Sequence, residues 1–346
     1  MSFAIINEST KYTGLGRYAA DLANATNGKL FSLHLDSSID TSQYPGEVVS
    51  HKSLLKIGNG WYMNHRFPSI FLTSIKKQIQ NQITPDTIIH YSSQMVPHII
   101  LDNRYIYTIH DIFGLDSKFN GDLRYGKLLE MNLKRIASGE AIITVSQYVK
   151  SQLQNIGINS RIEAIYPPVS RSFKMLDNRV SVRKSMGLPE NRRLVLSVSS
   201  LDPRKNLKAV AETMKLLGDK YSLVRVGKPI GDSYSFSNID DEKLNMIYNA
   251  CDVLLFPSLD EGFGFPLAEA MTVGLPAVAS DIPVFREIAE NAAVLVELEP
   301  EKIARGIKEA VDNSDVFHDR GIQVAKRYSF DHFRERINEF YNQIMA

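Results

Sequence analysis

Cysteine is nearly absent from this 346-residue chain, which holds one, Cys251. A single thiol excludes an intramolecular disulfide and a thiolate metal cluster, and it fits a reducing compartment. Net charge is equally scarce: 40 Lys and Arg stand against 39 Asp and Glu, leaving +1. A balance this close gives no basis for holding nucleic acid by bulk charge. Long apolar runs are missing too, since none reaches the roughly 18 to 20 residues that a membrane helix needs. Residues 1–8 lack a basic start and a long apolar stretch, so they read as a first buried strand and not as a signal peptide. With 44% hydrophobic and 23% charged residues, disorder and collagen-like repetition are also excluded.

What is present is alternation. Short apolar runs at 3–6, 30–35, 87–91, 105–109 and 141–145 read as buried strands, and helical patterns at 17–25, 123–136 and 147–154 fall between or after them. Pro167 and Pro168 interrupt the series, and two adjacent prolines suit neither a helix interior nor a central strand. The alternation then restarts. Strands are predicted at 194–198, 222–226, 253–256, 277–279 and 293–296, and helices at 207–217, 242–250, 266–273, 303–311 and 330–344. The chain therefore reads as α/β, with two parallel sheets in tandem, each covered by helices. The boundaries are a first domain over 1–168, a second over 169–328, and a terminal helix over 329–346. Ligands on such sheets sit outside the carboxyl ends of the strands. With two sheets facing each other, the cleft between domains is the expected site.

Charge and histidine are less even than the totals. Six of the eight histidines (His34, His51, His65, His90, His98 and His110) lie in the first half. Between Glu47 and Asp86 no acidic residue occurs, while Lys52, Lys56, Arg66, Lys76 and Lys77 accompany Trp61, Tyr62, Phe67 and Phe71. The plain reading is a solvated loop and helix with inward-facing aromatics; the functional one is a 52–77 surface that meets an anionic acceptor or membrane.

The sharpest constellation follows the predicted strand 253–256. Residues 257–271 read Pro-Ser-Leu-Asp-Glu-Gly-Phe-Gly-Phe-Pro-Leu-Ala-Glu-Ala-Met. Pro266 suits the first position of a helix, and Gly262 and Gly264 let the backbone approach a ligand at the helix start. That start carries roughly half a positive charge and favours phosphate. Glu261 before the helix and Glu269 within it suit sugar hydroxyls, which donate to carboxylates. The competing reading makes Asp260 or Glu261 a helix cap and Glu269 a solvent-facing side chain. After the strand 194–198, residues 199–207 read Ser-Ser-Leu-Asp-Pro-Arg-Lys-Asn-Leu. Arg204 and Lys205 at this strand-to-helix passage can clamp a diphosphate. The alternative leaves both solvated, with Asp202 or Asn206 capping.

Taken together, Arg204-Lys205-Asn206 and the Glu261-to-Glu269 motif resemble the retaining nucleotide-sugar glycosyltransferases of family 4. The likeness continues through Gly274-Leu275-Pro276 and Ala279-Ser280. Upstream it includes Thr13-Gly14-Leu15-Gly16-Arg17-Tyr18, Thr108-Ile109-His110-Asp111 and Val145-Ser146-Gln147-Tyr148. The resemblance spans nearly the whole chain. It implies a GT-B architecture of two facing Rossmann-like domains, with a last helix crossing back to the first. It further implies that Arg204 and Lys205 hold the donor diphosphate and that Glu269 holds the ribose hydroxyls. Glu261, Gly262, Phe263, Gly264 and Phe265 would meet the transferred sugar and its phosphate. Gly14 and Gly16 would close over the phosphates, and His110 would lie near the sugar, as a base or as a hydrogen-bond partner.

From that resemblance we expect a retaining hexosyltransferase. GDP-mannose is the favoured donor and UDP-glucose the next; the acceptor is a glycan, a glycolipid or another hydroxyl compound. No Asp-x-Asp triplet occurs, so the usual ligand pattern of a metal-held diphosphate is missing and no metal or other cofactor is expected. No carboxylate stands out as a nucleophile, which favours front-face attack. A cytoplasmic location is expected, with peripheral contact at the inner membrane face through 52–77 as an option, and no nucleic-acid partner. Two positions depart from the family pattern. Ser199-Ser200 stands where a Gly-Arg pair is common, and the strand and turn before the 242–250 helix are reduced to 234–240. Rival readings are a nucleotide-sugar epimerase, a non-catalytic binding module and an NAD-dependent dehydrogenase. The last would use Gly14 and Gly16, but it has only Leu35-Asp36 as a weak acidic strand end and leaves Glu261 and Glu269 unexplained.

Overall fold

The computed structural model describes residues 2–34, 40–50, 68–96, 98–99, 101–116 and 123–345, and among them helical and extended segments alternate. These residues form two units, Met1–Pro168 with Phe333–Ala346, and Val169–His332.

The first unit holds a seven-stranded sheet in which every pair is parallel. Its strands are β1 (Phe3–Asn7), β2 (Lys29–His34), β3 (Glu47–Ser50), β4 (Ile88–Tyr91), β5 (Tyr105–Ile109), β6 (Ala141–Thr144) and β7 (Ile162–Ala164). They lie in the order β3-β2-β1-β4-β5-β6-β7. Strands β4 and β6 are buried at every position, as expected where helices cover both faces of a parallel sheet. Chain order reverses between β1 and β4, and outside the carboxyl ends of such neighbours a crevice opens. The helix Phe330–Met345 contributes Phe333, Ile337, Phe340, Tyr341 and Ile344 to this core. Tyr341 stacks on Phe3 at 4.3 Å between ring centres, and its hydroxyl meets His90 Nδ1.

The second unit repeats the plan with six strands, also all parallel. They are β8 (Arg193–Val198), β9 (Tyr221–Val226), β10 (Ser233–Phe236), β11 (Val253–Phe256), β12 (Ala277–Ser280) and β13 (Val294–Val296). Their order is β10-β9-β8-β11-β12-β13, so the reversal falls between β8 and β11. Val195, Leu223, Val253, Leu255 and Val278 pack against Val210, Ile303 and Ile307 in one fully buried cluster. At the amino edge of this sheet the buried Asp252 carboxylate takes Arg183 Nη2 at 2.6 Å, Arg179 Nη1 at 3.2 Å and the Leu194 amide at 2.6 Å. One acid thus ties helix Arg179–Ser185 to the start of β8.

Several boundaries move from those predicted. The first helix runs Gly14–Thr26 and not from 17, because Thr13 caps it by accepting from the Gly16 amide at 3.1 Å. The stretch written as a reduced 234–240 contains a true edge strand, β10, registered on β9.

Candidate functional site

In the second unit, the carboxyl ends of the reversal strands carry both constellations. After β8, Asp202 accepts from the Arg204 amide at 2.9 Å and opens a short turn, Pro203–Lys205, with proline at its start. Asn206 then adopts a left-handed conformation (φ 50°), which asparagine tolerates, and passes the chain into helix Leu207–Leu217 without a side-chain cap. The turn holds its two cations apart. Arg204 Nη2 and Nε fork onto Asp202 at 2.6 and 3.2 Å, while Lys205 Nζ reaches the Glu261 carboxylate. Burial pushes the Asp202 carboxyl up, but the hydrogen bonds and charge of Arg204 outweigh it and hold the group below the usual carboxylate range. Neither cation is solvated: the Arg204, Lys205 and Glu261 side chains are 12%, 17% and 12% exposed.

The segment after β11 is tied to that turn by the Leu259 amide, which donates to the Arg204 carbonyl at 2.7 Å. Helix Phe265–Thr272 begins at Phe265, one residue before Pro266, and its cap is Gly264 at φ 107° with no side-chain bond. A Cβ there would lie 2.8 Å from Phe285 Cε1, so glycine is required both for conformation and for space. Asp260 and Glu261 therefore do not cap this helix. Glu269 is not solvent-facing either: it is 2% exposed and accepts from the Tyr248 hydroxyl at 2.6 Å. Arg204, Lys205, Glu261, Gly262, Phe263, Gly264, Phe265 and Glu269 thus fall on two adjoining segments at one sheet edge. Chemically this edge offers two cations and a helix start toward an anion, and carboxylates toward hydroxyls.

In the first unit, Gly14 and Gly16 lie in the first turn of the helix after β1. A Cβ on Gly16 would come within 2.0 Å of the Thr10 carbonyl oxygen, so this glycine is demanded by the loop folded against the helix. His110 follows β5. Its Nε2 donates to the Ser92 carbonyl at 2.8 Å, and its amide donates to Gln94 Oε1 at 3.0 Å. Because a carbonyl only accepts, the proton of the neutral ring is on Nε2 and the lone pair is on Nδ1. Burial lowers the His110 pKa to about 4, although the Ser92 bond works the other way. The ring is neutral at physiological pH and is steadied by the Tyr18 edge 4.8 Å away. Tyr18 in turn bonds Thr108 Oγ1 at 2.9 Å.

Sequence reasoning named Asp202 as a cap but not as the acid that holds the Arg204 guanidinium, and it missed Tyr248 on Glu269 and Ser92, Gln94 and Tyr18 around His110. The signals of the missed groups are tertiary, since these partners lie far apart in sequence and the fold brings them together. Of the 52–77 surface, Lys52, Lys56, Trp61, Tyr62, Arg66 and Phe67 lie outside the described residues, as does Leu35-Asp36. Helix Pro68–Gln80 covers the remainder and carries Lys77 in its last turn. Among the described residues no helix is long and apolar enough to cross a membrane. No three His, Cys, Asp or Glu among them converge as metal ligands would.

Comparison with known proteins bears on the family and the fold. Residues 178–327 match the family described as Glycosyl transferases group 1, and residues 12–173 match Glycosyltransferase Family 4. Each family model is of glycosyltransferases and together they span most of the chain, which is a glycosyltransferase. It is similar to the O-antigen chain mannosyltransferase RfbU of Salmonella typhimurium, with 27% identity over 251 residues covering 67% of this chain and 68% of that one. Among solved structures, the sucrose-phosphate synthase of Thermosynechococcus elongatus superposes with a TM-score of 0.80 over 100% of this chain and 99% of that one, at 16% identity. HepE of Anabaena, in complex with UDP and glucose, gives 0.77 over 99% of each chain, also at 16% identity. The glycosyltransferase therefore has the GT-B fold, with two Rossmann-like α/β domains.

Proposed function

We propose that this glycosyltransferase moves mannose from GDP-mannose to a hydroxyl of a glycan or lipid-linked acceptor, with retention at the anomeric carbon and without a metal ion. The observation that carries the reading is the paired edge of the second unit. There Arg204 and Lys205 follow β8, the segment that leads into helix Phe265–Thr272 is bonded to them through Leu259 and Glu261, and Glu269 lies buried within that helix. Mannose is favoured by the likeness to a relative named as a mannosyltransferase. UDP-glucose is the second reading, supported by the UDP and glucose bound in a neighbour of the same fold.

Breaking the bond between the anomeric carbon and the donor phosphate builds positive charge on the sugar and negative charge on the departing diphosphate. Donors placed at that developing charge are each worth about 3–4 kcal/mol in the transition state. Arg204, Lys205 and the helix start fill that role in our reading, and Glu269 fixes the ribose. The acceptor hydroxyl attacks from the face the diphosphate leaves, and its proton passes to the leaving phosphate oxygen. In the first unit, neutral His110 offers Nδ1 as an acceptor for a hydroxyl hydrogen. An epimerase would instead need no acceptor, and a binding module would show no transfer.

The decisive experiment titrates GDP, UDP, ADP, their sugar conjugates and NAD in EDTA while thermal unfolding is followed. A ligand that binds only the native state raises the melting temperature. Stabilisation by GDP and GDP-mannose is the expected result. Stabilisation by UDP-glucose alone would exchange the donor, and stabilisation by NAD alone would overturn the reading.

A further inference from the structure

Arg225, on β9 of the second unit, is 0% exposed, yet no carboxylate among the described residues pairs with it. All of its hydrogen bonds go to backbone carbonyls. Nη1 donates to Ser197 at 3.0 Å and to Val226 at 2.8 Å, and Nη2 donates to Ser199 at 2.5 Å. Nε has no partner among the described residues. Burial lowers its pKa to about 10, which leaves the guanidinium charged at neutral pH. A buried cation without a counter-charge is costly, and folding alone gives no reason to keep one where an apolar side chain would fit.

Its place supplies a reason. Arg225 is registered beside Ser197 of β8, at the carboxyl edge from which residues 199–206 carry Arg204 and Lys205. The carboxyl ends of parallel strands present backbone carbonyls, whose oxygens repel an anion. Arg225 takes three of them and adds a full positive charge behind them. The backbone is fitted to this arrangement. Gly227 has φ 131°, and a Cβ there would lie 2.3 Å from the Ser199 carbonyl oxygen and 3.1 Å from Arg225 Nη2. The Ser199 amide meanwhile donates back to the Val226 carbonyl at 3.2 Å.

We propose that Arg225 is a positioning residue that prepares this edge for the diphosphate: it turns carbonyl oxygens away from the anion and places an uncompensated charge beneath it. The inference rests on the donor reading above. It assigns a cation to an edge where Ser199 and Ser200 offer none.

The test measures, by calorimetric titration, the affinities of GDP and UDP and of the matching nucleosides for the wild-type chain, Arg225→Gln and Arg225→Lys. Gln keeps hydrogen bonding to carbonyls without the charge; Lys keeps the charge without the fork. Removing one nearby charge should lower the ratio of diphosphate to nucleoside affinity about tenfold in Arg225→Gln. In Arg225→Lys the ratio should stay within about threefold of wild type. A ratio unchanged in Arg225→Gln, or lowered equally in both variants, would overturn the proposal. If Arg225→Gln does not fold, the Lys variant still decides: a ratio lowered about tenfold there sinks the electrostatic role. Failure of the wild-type chain to bind any nucleoside diphosphate would instead overturn the donor reading itself.

Discussion

Side-chain pairs at the candidate site are arranged so that each group exists for its neighbour. Lys205 and Glu261 are both largely withdrawn from water and joined by one ion pair. Removing one partner strands the other charge, whereas removing both does not. Lys205→Ala and Glu261→Ala are each expected to lower stability by about 1–3 kcal/mol, and the double variant to lose clearly less than their sum. Urea unfolding of the four proteins checks this, and additive losses would show that the pair contributes nothing. The buried histidines give a pH dependence of definite sign. His90 bonds Thr108 Oγ1 at 2.7 Å and meets Tyr341, and burial holds its pKa down at about 3, with His110 at about 4. Both are neutral in the folded chain, while in the unfolded chain they titrate near the ordinary 6.5. The unfolded state therefore takes up protons first as pH falls. Stability from these two rings is complete above about pH 6.5 and is lost between there and about pH 3–4. Unfolding free energies near pH 7 and near pH 5 should differ accordingly, and His110→Asn should reduce the difference. A flat profile over that range would contradict the assigned environments.

Elements at the site are shaped by a few backbone positions. Gly264 turns the chain into helix Phe265–Thr272 at φ 107°, with the Phe285 ring against it. Gly264→Ala combines a strained conformation with a steric overlap, and should cost about 1–3 kcal/mol. It should also displace the helix start and weaken nucleoside diphosphate binding in parallel. Thermal unfolding with and without GDP separates the two effects, and unchanged values for both would refute the geometry. The legibility of elements followed their burial. Strands buried at each position, such as β11 and β12, were written in the sequence as unbroken apolar runs and matched within a residue. Edge strands β3 and β10 were not, because one side faces away from the sheet and their residues mix polar with apolar types. Helices Arg179–Ser185, Pro283–Ala289 and Ser314–Ala325 were also missed, being short or of weak apolar period. At the site, the residues with motif spacing could be read directly. Tyr248 and Arg225 could not, because each meets a partner distant in sequence that only the fold brings near.

At the scale of the whole molecule, chain order and unit membership part company at the end of the sequence. Residues from Phe333 onward belong with the first unit. There Phe333, Ile337, Phe340, Tyr341 and Ile344 are buried, Arg336 Nη2 pairs with Glu163 at 2.6 Å, and Asn338 bonds the Ala25 carbonyl at 3.3 Å. Full burial of a large apolar side chain is worth about 1.5–3 kcal/mol. Five of them together approach the roughly 5–15 kcal/mol that separates a folded domain from its unfolded chain. A chain ending at His332 should therefore lose the first unit's structure and keep the second's, whose core of Val195, Leu223, Leu255 and Ile307 draws nothing from the last helix. Hydrogen exchange on the shortened chain gives the reading strand by strand: β1–β7 should exchange rapidly while β8–β13 stay protected. Continued protection of β4 and β5 would mean that the terminal helix is an ornament on the first sheet. Collapse of both sets would mean that the second unit cannot fold without the first.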